Sequence, residues 1–245
     1  MKMHVFETPE LLGQSAAKQT AELINATIAA NGTARIVLST GASQFDTISN
    51  LRKANIDWTK VEMFHLDEYI GVPATHPASF VKYLSERFIG DDLKLKQAHF
   101  IDGTQDPQKV IADVTKEIRK APIDVALIGI GENAHIAFND PPADFDTKEA
   151  FIIVDLDEAC KAQQVREGWF ATLDDVPRKA ITMSVYEIMQ AKVIISAVPY
   201  SQKAKAIKDT VETDVTNTVP ATILKTHHNW SLYADKASAS LLPHG

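Results

Sequence analysis

The chain has 245 residues, of which 45% are hydrophobic and 23% charged, a composition typical of a soluble globular protein that buries a full core. Its net charge of −7 gives no indication of the basic face that nucleic-acid binding needs, so we expect no nucleic-acid partner. No run approaches the roughly 18 apolar residues of a membrane span, and no signal peptide is evident. With a single cysteine, Cys160, and therefore no intrachain disulfide, the chain is predicted to be cytoplasmic, without a membrane partner.

Strand-like and helix-like segments alternate along the chain. Thr8 and Pro9 open the first predicted helix, and Asp106 followed by Pro107 opens another. Helical periodicity and these capping signals predict helices over 8–30, 43–54, 78–90, 106–120, 157–170, 201–212 and 220–227. Apolar runs bounded by turns predict strands over 35–39, 61–66, 123–130, 151–155, 179–184, 192–198 and 230–234.

This alternation predicts an α/β fold with a doubly wound, mainly parallel, Rossmann-like sheet and helices on both faces. No linker divides the chain, so we expect a single domain over residues 1–245. The least regular part, 142–177, holds many charges and Trp169. We expect a lid within it that closes over the site, and an ordinary surface excursion is the alternative.

Two segments could bind an anion. Ser39-Thr40-Gly41-Ala42-Ser43 follows a predicted strand and opens a helix, so its backbone N–H groups and hydroxyls can cradle a phosphate. It is neither a P-loop nor a dinucleotide fingerprint, and such turns also simply cap helices. Lys203 is predicted in the first turn of helix 201–212, where a cation opposes the helix dipole. That cost suggests a compensating phosphate, and a solvent-facing lysine is the alternative.

Adjacent carboxylates follow the predicted strand 61–66. Asp67 and Glu68 point to opposite sides if the chain stays extended, so only one of them faces a crevice easily. A carboxylate in a partly closed cleft can have a raised pKa and carry a carbon-bound proton. An acidic helix cap is the alternative.

A second polar group follows strand 123–130. The segment 129–141 brings Asn133, His135 and Asp140 together within eight residues, and an imidazole beside a carboxylate can act as acid and base in turn. Because ligands of open α/β sheets bind beyond the carboxyl ends of the strands, Asp67, His135 and Asp140 form the predicted acid/base set. A structural histidine is the alternative. We expect no metal site, since no second His or Cys stands at ligand spacing.

These segments together resemble the glucosamine-6-phosphate deaminase (isomerase) family, whose fold is shared with 6-phosphogluconolactonases. The resemblance is carried by S-T-G-A-S at 39–43, L-D-E-Y-I-G at 66–71, H-P-A-S-F at 76–80, G-I-G-E-N-A-H-I-A-F-N-D-P at 129–141 and S-Q-K-A at 201–204. The H-I-A-F-N-D-P ending favours a deaminase, because the corresponding loop of the lactonases usually reads G-H-T-A-S-L-F.

The resemblance implies that glucosamine 6-phosphate is isomerised and deaminated to fructose 6-phosphate and ammonia. Asp67 would carry a proton from C2 to C1, and His135, oriented by Asp140, would assist ring opening. The 40–43 loop and Lys203 would hold the phosphate. The resemblance implies a small-molecule sugar phosphate as the partner and no cofactor, and it leaves a homo-oligomer open.

The chain departs from the family pattern in the phosphate loop, which usually reads T-G-G-[ST]-P. Ala42 and Gln44 replace the second Gly and the Pro, and Ala42 therefore needs a φ that suits alanine. Arg166 is the nearest candidate for the flap arginine that binds phosphate in the family.

Three further departures lie in the 129–141 segment. Asn133 stands where many members have Asp, and it remains a catalytic candidate that can hydrogen-bond but carries no charge. Ala134 replaces a Gly that can need positive φ, and Asp140 is one methylene shorter than the usual Glu, which predicts a shorter reach to His135. The alternatives to a deaminase are a hydrolase of the 6-phosphogluconolactonase type and a non-catalytic sugar-phosphate-binding protein.

Overall fold

The computed structural model describes residues 1–243, apart from the side chain at position 159, so the last two residues of the predicted domain lie outside the described residues. The strands are β1 (Lys2–Phe6), β2 (Ala34–Leu38), β3 (Val61–His65), β4 (Asp67–Tyr69), β5 (Gln97–His99), β6 (Val125–Leu127), β7 (Phe151–Asp155), β8 (Lys179–Met183), β9 (Val193–Val198) and β10 (Trp230–Asp235). The α-helices are α1 (Pro9–Asn31), α2 (Phe45–Arg52), α3 (Phe80–Leu84), α4 (Pro107–Ile118), α5 (Glu158–Arg166), α6 (Val185–Ile188) and α7 (Ala204–Glu212).

Seven strands form one parallel sheet in the order β1-β10-β9-β6-β2-β3-β5. From β2 the chain runs outward through β3 to β5 and then returns to β6 on the other side of β2. This reversal makes the paired strands β2 and β6 a topological switch point, which opens a crevice beyond their carboxyl ends. The predicted doubly wound, mainly parallel α/β sheet is confirmed.

Both faces of the sheet are covered. Along β2, Ile36 and Leu38 face one hydrophobic cluster and Val37 faces the other, as expected from the alternation of side chains along a strand. Every residue of β2 and of β9 is buried. Helix α1 begins as predicted, because the Thr8 side chain accepts a hydrogen bond from the backbone N–H of Leu11. None of the helices in residues 1–243 is long and apolar enough to cross a membrane.

Two predicted strands do not join the parallel sheet. The segments 151–155 and 179–184 are strands, but β7 and β8 pair antiparallel with each other, and β8 pairs antiparallel with β4 in a separate three-stranded sheet. The middle residues of β7 are only partly buried, a pattern that does not suit the interior of a sheet covered on both faces. The expectation that they extend the parallel sheet is therefore wrong.

Other boundaries differ more locally. The predicted strand 123–130 pairs only over β6, and the predicted helix 220–227 is a 3₁₀ segment, Pro220–Thr226. The short strands β1, β4 and β5 were not predicted. β4 and β5 have only three residues each, too few to show a periodicity, and β1 is not a continuous apolar run.

Candidate active site

A cleft of about 390 Å³ lies at the carboxyl ends of β2, β3, β6 and β9. It occupies the switch point, so the loops that follow non-consecutive strands meet there. Most of the predicted site residues line it, namely Thr40, Gly41, Ala42, Ser43, Asp67, His135, Arg166 and Lys203. The other two, Asn133 and Asp140, lie directly behind His135 and contact it.

The loop after β2 turns at Gly41. Gly41 has a φ of 101°, a left-handed conformation that favours glycine, whereas Ala42 opens a 3₁₀ turn and is not among the residues with positive φ. The methyl group of Ala42 therefore costs no backbone strain, which answers the question raised by this departure. The Gly41 carbonyl accepts hydrogen bonds from the Gln44 N–H and the Tyr83 hydroxyl, both at 3.0 Å.

The two adjacent carboxylates after β3 have different surroundings. Asp67 lines the cleft with 7% of its surface exposed, while Glu68 is buried on the other side of β4. Glu68 accepts hydrogen bonds from the Ser79 hydroxyl at 2.6 Å and from the Val81 N–H at 3.0 Å. Glu68 thus ties the start of α3 to β4 and leaves the cleft to Asp67.

Burial raises the pKa of Asp67 well above its ordinary value, and the negative charges of Glu68 and Asp140 raise it further. A backbone hydrogen bond from Phe138 opposes this shift without cancelling it. Asp67 is therefore a carboxyl group that binds a proton more readily than an exposed aspartate does.

Behind the cleft, His135 is held by a loop with two left-handed alanines. Ala134 has a φ of 64° and Ala137 a φ of 52°, so the position at which the family has Gly does adopt positive φ here. A Cβ at Gly131 would lie 2.3 Å from Nε2 of His135, so only glycine leaves room for the ring. Asn139 fastens the loop, since its Nδ2 donates to the carbonyls of Ile136 at 2.8 Å and Met183 at 2.9 Å.

Asn133, His135 and Asp140 form one polar cluster. Nδ1 of His135 lies 3.0 Å from Oδ1 of Asp140. This is hydrogen-bond distance, but the angle between the two groups is not that of a hydrogen bond. The shorter side chain of Asp140 does reach the imidazole. Asn133 donates to the same carboxylate oxygen at 3.1 Å, and its own carbonyl accepts the His135 backbone N–H at 3.1 Å.

Asp140 keeps its negative charge in this cluster. Burial acts to raise the pKa of Asp140, but the interactions with His135 and with the Asn133 amide outweigh burial, so the pKa is lowered. The imidazole thus has a permanent anion beside Nδ1. The pKa values of Asp67 and Asp140 are shifted in opposite directions, so Asp67 is suited to carry a proton and Asp140 to supply a fixed negative charge.

The cationic end of the cleft is formed by Lys203 and Arg166. Lys203 ends the 3₁₀ turn Ser201–Lys203 just before α7, and only 7% of its surface is exposed. Burial lowers its pKa, and the nearby Glu132 is occupied by an ion pair with Arg166. A buried ammonium group that faces a cleft is costly unless an anion binds there.

The predicted lid contributes in part. Its second half lines the cleft with Gln163, Gln164, Arg166, Glu167 and Trp169, while β7 in its first half belongs to the antiparallel sheet. That this segment closes over a ligand stays a prediction.

Several site residues escaped the sequence analysis. Tyr200, which lines the cleft, has a φ of 80°, and its N–H donates to the buried carboxylate of Asp235 at 3.1 Å. Gln44 is 1% exposed and lies between the 40–43 loop and β9. Only its replacement of the family's Pro was visible in the sequence, since its partner Ala197 is far away along the chain.

Cys160 is buried and is not a nucleophile. Burial raises the pKa of its thiol, and the negative charges of Asp140 and Asp157 raise it further. Among residues 1–243, no group of three His, Cys, Asp or Glu side chains is arranged to hold a metal ion.

Residues 7–233 match the family model described as glucosamine-6-phosphate isomerases/6-phosphogluconolactonase. A glucosamine-6-phosphate deaminase of Thermoanaerobacter sp. (strain X514) is 35% identical over 233 residues, which are 92% of this chain and 90% of that protein. One from Lactobacillus delbrueckii subsp. bulgaricus is 34% identical over 243 residues, 99% of this chain and 100% of that protein.

Solved structures agree with this. A monomeric glucosamine-6-phosphate deaminase superposes with a TM-score of 0.89 at 27% identity, covering 98% of this chain and 100% of that one. A 6-phosphogluconolactonase from Shewanella baltica OS155 superposes with a TM-score of 0.79 at 18% identity, covering 96% and 97%, and so shares the fold. The chain belongs to the family of glucosamine-6-phosphate isomerases and 6-phosphogluconolactonases.

Proposed function

We propose that this enzyme converts glucosamine 6-phosphate and water into fructose 6-phosphate and ammonia. The observation that carries the proposal is a single cleft lined by a buried carboxyl group, Asp67, an imidazole, His135, and a buried ammonium group, Lys203. Isomerising an amino-sugar phosphate needs a group that moves a carbon-bound proton, a group that helps open the ring and a cation for the phosphate. Relatives that are 34–35% identical over nine-tenths or more of this chain are named deaminases.

Asp67 is the proton carrier of this reaction. It takes the proton from C2 of the ring-opened sugar, and the C2–H electron pair forms the C1–C2 double bond of an enolamine as the C1 carbonyl oxygen takes up a proton from solvent. Asp67 then returns its proton to C1, which leaves an iminium group at C2. Water adds to C2 and ammonia leaves. The raised pKa of Asp67 supports this role, because the same group must accept and release a proton.

His135 assists ring opening by moving a proton between the ring oxygen and the C1 hydroxyl. Asp140 lies 3.0 Å from Nδ1 and stabilises the charged imidazole, which leaves Nε2 on the cleft side of the ring. Asn133 is a positioning residue in this proposal, since it holds Asp140 through its amide and does not line the cleft. Positioned proton transfer of this kind contributes about 10²–10⁴-fold to a rate.

The phosphate is bound at the other end of the cleft. The loop Thr40–Ser43 offers backbone N–H groups and hydroxyls, and Lys203 offers a buried charge with no carboxylate paired to it within residues 1–243. Arg166 reaches the phosphate once it leaves its partner Glu132, and the second half of 142–177 closes as the lid. A cytoplasmic location belongs to the same proposal and is supported by the free thiol of Cys160. A homo-oligomer stays a prediction.

The test is an ammonia-release panel over glucosamine, galactosamine and N-acetylated hexosamine 6-phosphates. We expect ammonia and fructose 6-phosphate from glucosamine 6-phosphate. A chain that hydrolyses 6-phosphogluconolactone and releases no ammonia would be a hydrolase instead. A chain that binds these sugar phosphates without turning any of them over would be a non-catalytic binding protein. Either result refutes the proposal.

A further inference from the structure

The carboxyl end of β9 carries a backbone carbonyl that no neighbouring strand satisfies. The pairing of β6 with β9 ends at Leu127 and Ile195, and the Ile195 carbonyl accepts the N–H of Ile128 at 2.9 Å. Ala197, two residues further along β9, presents its carbonyl to the same side, where β6 has already left the sheet. An unpaired carbonyl in the interior is costly, so another donor is needed here.

Gln44 supplies that donor. Its side chain is 1% exposed, and Nε2 donates to the Ala197 carbonyl at 3.0 Å and to the Ser43 hydroxyl oxygen at 3.0 Å. Because a carbonyl only accepts hydrogen bonds, the amide has a single workable orientation, with nitrogen toward Ala197. Gly129 leaves room for it, since a Cβ there would lie 3.3 Å from Nε2 of Gln44.

This one amide joins the two halves of the anion-binding end of the cleft. Ser43 lies in the loop after β2, while β9 continues beyond Ala197 into the turn that ends at Lys203. The Ser43 oxygen accepts a hydrogen bond from Gln44, so its own O–H is directed elsewhere and is free to donate. A phosphate accepts hydrogen bonds, so a donating hydroxyl at the cleft wall is what it requires.

We infer that Gln44 is a positioning residue of the phosphate site, which acts through Ser43 and Ala197 and does not touch the ligand. The inference rests on the proposed function for the identity of the substrate, but the phosphate-binding part of it can be tested separately. It also explains the departure from the family pattern. The Gln44 N–H donates to Gly41 and its φ is −97°, so a proline here would lose that bond and fit the backbone poorly.

The experiment compares Gln44→Met, which keeps the length of the side chain and removes the donor, with wild type. Isothermal calorimetry on the full chain gives the Kd of inorganic phosphate, and steady-state kinetics with glucosamine 6-phosphate gives KM and kcat. We expect Kd and KM to rise about fivefold or more while kcat stays within about twofold. Asn50→Met is the matched control, because the Asn50 amide on α2 donates to the Asp46 carbonyl and leaves the cleft alone.

A double-mutant cycle with Ser43→Ala separates positioning from packing. If Gln44 acts partly through Ser43, the effect of Gln44→Met on the phosphate Kd is smaller in the Ser43→Ala background. If Gln44→Met does not fold, Gln44→Leu, which also lacks the donor and adds no charge, is held to the same criterion. A variant with a lower Tm but an unchanged phosphate Kd and KM would overturn the inference.

The outcome is independent of the proposed chemistry. A wild-type chain that binds phosphate but releases no ammonia refutes the proposed function, and the effect of Gln44→Met on the phosphate Kd still supports or overturns this inference. A wild-type chain that binds no phosphate overturns the inference itself.

Discussion

Replacing Asp67 by asparagine removes one ionisable group from the cleft and keeps the size of the side chain. Burial raises the pKa of Asp67, and the charges of Glu68 and Asp140 raise it further. A carboxyl group whose pKa is higher in the folded protein contributes stability that is fully present below its unfolded pKa, near 3.8. That contribution is lost as the pH rises through the folded-state pKa. At neutral pH the wild-type protein is therefore less stable than it would be with an uncharged group at position 67.

The size of the expected change in stability follows from this raised pKa. Each unit by which the pKa is raised corresponds to about 1.4 kcal/mol in the free energy of unfolding, and Asp67 is too buried for solvent to screen much of it. About 1 kcal/mol shifts the Tm of a protein of this size by roughly 2–4 °C. We expect Asp67→Asn to melt at least about 2 °C above wild type at pH 8, with the difference vanishing near pH 4. Its kcat should fall by about 10²–10⁴-fold, because the amide cannot carry the proton.

The assays are ammonia release under steady-state conditions and thermal melts followed by circular dichroism between pH 4 and pH 8. Asp91→Asn is the control, since Asp91 is an exposed aspartate in a turn away from the cleft, and this variant should change neither quantity. An Asp67→Asn protein that keeps more than a tenth of the wild-type kcat would show that Asp67 is not the proton carrier. A melting temperature below that of wild type at pH 8 would refute the electrostatic reasoning.

Three further predictions concern other parts of the molecule. Lys203→Met should raise KM for the sugar phosphate about 10- to 100-fold without lowering the Tm, while Lys205→Met, at an exposed residue of α7, should leave KM unchanged. Asp140→Asn should lower kcat about tenfold or more with little change in KM, because the imidazole loses its anion, and a wild-type kcat would contradict the role given to Asp140. Arg35→Met should lower the free energy of unfolding in urea by about 3–5 kcal/mol, since this buried guanidinium pairs with Glu62 and donates to backbone carbonyls. Because Arg35 lies at the opposite end of the sheet from the cleft, kcat/KM should be unchanged. Arg35 would have no structural role if the unfolding midpoint stayed that of wild type.

The core of the fold could be predicted from the sequence because its signals are local. The apolar runs of β2, β3 and β9 and the capping of α1 by Thr8 each depend on residues within one segment. Parallel strands place their carboxyl ends along one edge, so motifs that follow different strands were expected to meet. That reasoning predicted that Asp67 and His135 meet in one cleft, and both line it.

Pairing between distant segments could not be predicted from the sequence in the same way. β7 and β8 have strand composition, but only the partial burial of β7 and the antiparallel pairing of β8 with β4 assign them to a second sheet. The same sheet directs Asp67 toward the cleft and Glu68 away from it, a choice that the alternation rule requires without saying which residue takes which side.

What the sequence by itself determined is therefore the set of strand-end residues with the right chemistry, because residue type and position along a strand are written in the chain. Only the tertiary structure decided which of them are held in place and by what. The donor that Gln44 gives to Ala197, and the carboxylate of Asp235 that holds Tyr200 at positive φ, join residues 153 and 35 positions apart. Such bonds satisfy backbone groups left open where strands of unequal length end, and that unevenness arises only when the sheet is assembled.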